Sequence, residues 1–260
     1  MSKRLDFEYD VAFRRIKNHG QETFIGISSG QQIADGRVTV WDGDGDVTFL
    51  TSAVELFITS SNTGDTDQTV TVNGVDTNWL PLTTTAALNG QTEVSVGTFL
   101  HVQKVTITAG SINAGDLYLA PTTARTGGVP NDLTLVLSKI IIGEGITHNG
   151  WAIIPANLVA GFVAFRAGTD TDAKVASLSA HLTLLGAPTL MIARYNVTAS
   201  FAGYLFPLPI VSLSKGGVAF PEKTILEYKA DVSTNDTEVF ISADCIMAGK
   251  AELGVEAASI

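Results

Sequence analysis

The chain has one cysteine among its 260 residues, so it closes no disulfide within itself and builds no cysteine-based zinc site. That residue, Cys245, falls in the apolar run from Phe240 to Met247, a setting that suits a buried structural thiol better than a nucleophile. Charge is scarce as well: 16% of residues are charged, and 26 acidic side chains against 16 basic ones leave a formal net charge of −10. An acidic chain is poorly suited to nucleic-acid phosphates, whose binding depends on Lys and Arg, and no basic and aromatic stripe is present. No apolar run reaches the roughly 20 residues a membrane span needs. The charged N-terminus also lacks the apolar segment of a signal peptide. The expectation from these shortages is a soluble protein made in a cytoplasm, with neither nucleic acid nor membrane among its partners.

What the sequence does have is Thr, Ser, Val and 25 Gly, arranged as short alternating segments between turn signals. The clearest stretch is Asp67 to Val96. It holds Thr69–Val72, Leu82–Ala86 and Thr92–Val96, with Asn73–Gly74 and Asn89–Gly90 between them. Period-2 alternation broken by Asn-Gly predicts hairpins with type I′ turns, here an antiparallel meander. Further strands are expected at 38–41, 47–50, 54–59, 99–108 and 116–120. After residue 132 they follow at 133–142, 147–154, 161–166, 173–185, 189–197, 225–232 and 238–247. Short strands at such spacing predict an all-β protein of two β-sandwich or jelly-roll-like domains. The expected layout is an N-terminal arm over 1–36, a first domain over 37–120, a linker over 121–132, a second domain over 133–250 and a tail over 251–260. The linker is placed at PTTARTGGVPND, which collects Pro, Gly and Thr without periodicity.

Several residues invite a chemical reading. Asp42, Asp44 and Asp46 alternate with glycine and could recruit a hard cation such as Ca2+. The EF-hand positions for Gly and Glu, however, hold Val47 and Ala53, so a tight turn is the plainer reading. Lys3, Arg4, Arg14, Arg15 and Lys17 crowd the first seventeen positions and form a candidate interface for an acidic neighbour, against the alternative of a solvated terminus. Gly26–Ile27–Ser28–Ser29–Gly30 matches the G-x-S-x-G nucleophile elbow, yet the helix and βαβ rhythm which that motif needs are missing. His19, His101, His148 and His181 stand far apart, without the close spacing of metal ligands. Trp41, Trp79, Trp151, Phe162 and Phe165 could line a carbohydrate site or anchor a core. No set of residues supports catalysis, and no cofactor is expected.

Several phrases taken together resemble a known family. They are Val40–Trp41–Asp42–Gly43, Val70–Trp79 (VTVNGVDTNW), Ala87–Thr92 (ALNGQT), Phe99–Leu100–His101–Val102, and Thr108–Gly110 with Asn113–Asp116. Near the end come Phe220–Thr224 (FPEKT) and Asn235–Val239 (NDTEV). They are similar to turns and strand edges of virion structural proteins of tailed bacteriophages, many of them marine. The similarity covers roughly 38–120 and 205–247. It implies membership of a phage particle and names no site residues. A low-charge β chain without a catalytic set fits a capsid decoration or cement protein, a homo-oligomer and most plausibly a trimer, bound to the major capsid protein or other virion proteins. Competing expectations are a double jelly-roll major capsid protein and a tail or fibre-base component that binds host glycans.

Overall fold

A computed structural model describes residues 19–43, 45–171, 174–198 and 220–249. Among them the chain is almost entirely β, with seventeen strands and two 3-10 turns. It opens with β1 (His19–Gln31) and β2 (Val38–Thr39). These two strands belong to a sandwich that is completed only by the C-terminal half of the chain. In between lies a second sandwich made of β3 (Val54–Ser60), β4 (Thr69–Val75), β5 (Pro81–Ala87), β6 (Val94–Phe99), β7 (His101–Ala109), β8 (Leu117–Pro121), the short pair β9 (Arg125–Thr126) and β10 (Val129–Pro130), and β11 (Ser138–Ile140).

In this inserted sandwich a four-stranded sheet, β11-β8-β3-β6, faces a three-stranded one, β5-β4-β7. Alternation decides which side chains turn inward. In β4, Val70 and Val72 are fully buried against Leu56, Ile58, Leu117 and Leu119. Between those two, Thr71 points outward to share a hydrogen bond with Thr108 at 3.0 Å.

The outer sandwich is finished by β12 (Trp151–Ile154), β13 (Leu158–Thr169), β14 (Val175–Leu184), β15 (Leu190–Thr198), β16 (Thr224–Val232) and β17 (Thr237–Gly249). One sheet runs β1-β17-β13 and the other β12-β16-β14-β15. β12 and β2 share one side of β16, with Trp151 opposite Glu227 and Thr39 opposite Lys229. Its core stacks Phe165 on Tyr228 at 4.8 Å and includes Phe24, Leu178, Ile241 and Cys245. Burial pushes the Cys245 thiol up to about 12, so it stays protonated and inert.

Sequence and structure part company at several places: residues 47–50 form no strand, and of 133–142 only β11 is a strand, with Leu133–Leu135 a 3-10 turn. Asn73–Gly74 is not a turn: both residues lie inside β4, opposite Thr83 and Leu82. Gly74 is there because a Cβ would stand 2.2 Å from the His101 carbonyl oxygen. The turn comes later, where Asp76 Oδ1 accepts from the amides of Asn78 and Leu80 and Trp79 takes φ 64°. Nor is the stretch a meander, because β6 leaves β5 to pair with β3 in the opposite sheet. Residues 121–132 are not a linker. They form the β9–β10 hairpin, fastened by Arg125 to Glu93 at 2.7 Å and by Thr59 to the Gly128 carbonyl at 2.7 Å. Finally, residues 19–31 of the expected arm are a long strand paired along β17, while residues 1–18 and the tail over 251–260 lie outside the described residues.

The chain thus changes sandwich not over 121–132 but around 40–47 and again around 146–151. Gly26 and Gly150 let three segments meet there. A Cβ on Gly150 would sit 2.2 Å from the Val40 carbonyl oxygen, and one on Gly26 would sit 2.6 Å from the same atom. Gly150→Ala should cost about 2–3 kcal/mol by overpacking. Gly249→Ala, whose added Cβ meets no described atom within 4 Å, should stay within about 0.5 kcal/mol of wild type. Urea unfolding of the two variants checks this, and equal midpoints would contradict it.

Candidate functional site

The two crossings are buried in a third apolar core lying between the sandwiches. It gathers Trp41, Trp79, Trp151, Leu100, Ile153 and Ile225 with their neighbours, and so it takes all three tryptophans of the chain. The Trp41 and Trp151 rings sit 5.8 Å apart, and Phe49 meets Trp151 edge-on at 5.7 Å. Both of these indoles find acceptors, as buried indoles generally must: Trp151 Nε1 donates to the Val102 carbonyl and Trp41 Nε1 to the Gly45 carbonyl, each at 2.9 Å. A Cβ on Gly43 would lie 2.2 Å from the Trp41 ring, so this glycine is what allows the ring to fold back over its own loop.

Polar groups fasten the same seam. The Gln103 side chain of the inserted sandwich donates to the Trp151 carbonyl at 2.9 Å and accepts from the Ile153 amide at 2.6 Å. It thereby imitates a strand partner along the edge of β12. Asn149 donates to the Gln103 carbonyl at 3.1 Å, and the Ala156 amide donates to the Trp79 carbonyl at 2.8 Å.

Two of the candidate aspartates, Asp42 and Asp46, lie at this seam, each held by its own partners. Asp42 accepts from the His148 amide at 2.7 Å and pairs with His148 Nδ1 at 3.1 Å; its side chain has no solvent exposure. Burial pushes the Asp42 carboxyl up, opposed by His148, and the hydrogen bond to Asp42 pushes His148 up. Asp46 accepts from the Thr39 amide at 2.9 Å and from Lys229 at 2.9 Å. Asp44 lies outside the described residues. Among the described residues no three His, Cys, Asp or Glu side chains are grouped to hold a metal.

The other candidates are dispersed. Ser28 lies within β1, buried and opposite Val239, followed only by a three-residue 3-10 turn at Ile33–Asp35, so the elbow motif is a strand. Trp41 and Trp151 are each 1% exposed, so neither can serve as a sugar-stacking platform, and Phe165 is core. His181 bonds Ser179 at 2.8 Å in the outer sandwich. The basic cluster Lys3, Arg4, Arg14, Arg15 and Lys17 lies outside the described residues.

An open cleft of about 580 Å³ lies beside the seam, between β1 and the inserted sandwich; Glu22, Thr23, Asn73, Lys104 and His148 are among the residues that line it. Polar side chains in its lining are already engaged, Thr23 with Asp244, Asn73 with Thr83 and His148 with Asp42. Neither the Asp42–His148 pair, 106 positions apart, nor the Gln103 clip carries any local sequence signal. Chain crossings alone bring these residues together.

No known sequence family's profile matches the chain, and no curated protein matches it. Among solved structures, the infectious bursal disease virus Gt strain is similar at 10% identity over 90% of this chain and 73% of that one, with a TM-score of 0.24. The VP2 subviral particle of the same virus is similar at 10% identity over 92% and 74%, with a TM-score of 0.18. Likenesses this loose establish neither a shared fold nor a shared role.

His101 supplies a pH test of the seam. It is 6% exposed, packs edge-on to Trp79 at 4.8 Å, and its buried Nδ1 has no hydrogen-bond partner among the described residues. Burial pushes it down to about 4. Between the ordinary histidine range and pH 4 the unfolded chain takes up a proton that the folded one refuses, so stability falls as pH falls, by about 3 kcal/mol at most from this residue. His148 acts in the opposite direction: its raised value adds stability that is present below pH 6.5 and lost as pH rises through the folded value. Urea midpoints between pH 7 and pH 4 should fall less steeply for His101→Phe than for wild type, and equal slopes would contradict the buried neutral imidazole.

Proposed function

We propose that this chain is a non-enzymatic structural protein of a virion, a decoration or cement protein that stabilises the capsid shell as a homo-oligomer, with a trimer as the expected form. One observation carries the reading. Four of the seven phrases that resemble phage virion proteins, scattered along the sequence, meet at one place in the fold. Val40–Gly43 supplies Trp41 and the Asp42 carboxylate; VTVNGVDTNW supplies the turn that delivers Trp79; Phe99–Val102 supplies Leu100, His101 and the acceptor for Trp151. Phe220–Thr224 leads directly into Ile225 of the same core. These four therefore belong to what welds two sandwiches into one body, a building-block property rather than a catalytic one, while Leu88 and Val239 of two others lie in the cores within the sandwiches.

The burial of Ser28 and Cys245 also favours a structural role, because neither side chain is open to a substrate. The major capsid protein is the natural partner of such a unit, and the particle is the place to look for it.

The test is the copy number of the chain in purified particles, by quantitative mass spectrometry against the portal and major capsid proteins. The proposal expects copies on the scale of the major capsid protein. A count on the scale of the portal would move the chain to the tail, and absence from particles would end the reading.

A further inference from the structure

The hairpin joining β14 to β15 ends in an apolar tip that the described structure leaves uncovered. Leu185 is 61% exposed, Leu190 and Met191 are each 54%, and Ile192 is 43%. Ala187 and Pro188 between them are exposed too. From Leu182 to Ala193 the sequence holds no charged residue. The tip continues into β15, the last strand of its sheet among the described residues, with β14 on one side. Soluble β proteins usually guard such an edge with charge or a bulge along its length. Here the first charged side chain of β15 is Arg194, and a single bulge at Ile192 interrupts its pairing with β14.

We propose that this tip and the adjoining edge of β15 form the surface on which a second copy of the chain docks. The inference deepens the structural role given above and rests on it. Charge selects the occupant. Each copy carries a formal −10, so two copies repel wherever their acidic faces approach. An uncharged apolar stretch is where they can meet without that repulsion, whereas a basic partner would be drawn to acidic side chains that this stretch lacks. Area sets the strength. Four such side chains expose on the order of several hundred Å², the size of a functional patch. That is roughly half of what each partner gives to a standard interface. A single contact of this kind is weak, and it becomes stable when repeated around a closed ring or across a shell.

Sedimentation velocity of the full chain over rising concentration tests the surface, with Leu190→Asp and Met191→Lys as tip variants and Ile112→Asp, at a residue 59% exposed in the inserted sandwich, as the control. Wild type and control should associate alike, and each tip variant should weaken association about tenfold or more, with unchanged melting by circular dichroism. A wild type that stays monomeric, or tip variants that associate normally, would overturn the proposal. Tip variants that melt markedly lower would overturn it too, because the tip would then be covered by the chain's own residues, with 199–219 the first candidate. A protein that self-associates through the tip but is missing from particles would refute the virion role alone.

Discussion

The approach of three backbone segments at Val40, Gly26 and Gly150 is the constraint on which the rest of the molecule depends. The chain leaves the outer sandwich beside Val40, builds an entire second sandwich, and returns at Gly150 against the very carbonyl it left. A bridge between Trp41 and Asn149 closes the two crossings on each other. Because exit and return lie side by side, the aromatic rings that follow each crossing necessarily share one core. Packing of that density tolerates little change in volume. The tryptophans therefore act as a weld between bodies, and the cores within each sandwich are built from aliphatic side chains with Phe99 in the inserted one and Phe24, Phe165 and Tyr228 in the outer one.

Around that weld the structure places its costly polar groups. Asp42 is fully desolvated and retained by His148; Glu227 is pushed up by burial while accepting from Thr39 and lying 3.5 Å from Lys229. Buried ionic groups stabilise little in net terms, and stripping one partner from such a pair is strongly destabilising. Their effect here is to make one relative placement of the sandwiches far better than its neighbours, since any slide would leave Asp42 or Gln103 unpaired. A unit with one fixed shape is what a repeated assembly requires, and the apolar surface left over at the β14–β15 tip is where that assembly would draw its contact energy.

Much of this was legible in the sequence, and the misses share a cause. The all-β class and most strand positions follow from alternation, which is a local property; β4, β7, β8, β14, β15, β16 and β17 lie where the pattern puts them. Asn73–Gly74 misled because a glycine that admits a neighbouring carbonyl looks the same in sequence as one that makes a turn. The stretch 121–132 misled because Pro and Gly in a tight hairpin have a linker's composition. The discontinuous outer sandwich was invisible because β1 and β17 find each other across nearly the whole chain, and long-range pairing leaves no mark within a window of a few residues. Asp42 drew attention as a candidate cation ligand. Its partner turned out to be a histidine that the sequence sets 106 positions away.

The central claim is that the seam makes two sandwiches one cooperative body. Differential scanning calorimetry tests it most directly. The account predicts a single transition whose van't Hoff and calorimetric enthalpies agree, because unfolding the inserted sandwich would expose the tryptophan core and both crossings of the outer one. Two resolved transitions in the wild-type chain, one for each sandwich, would contradict it.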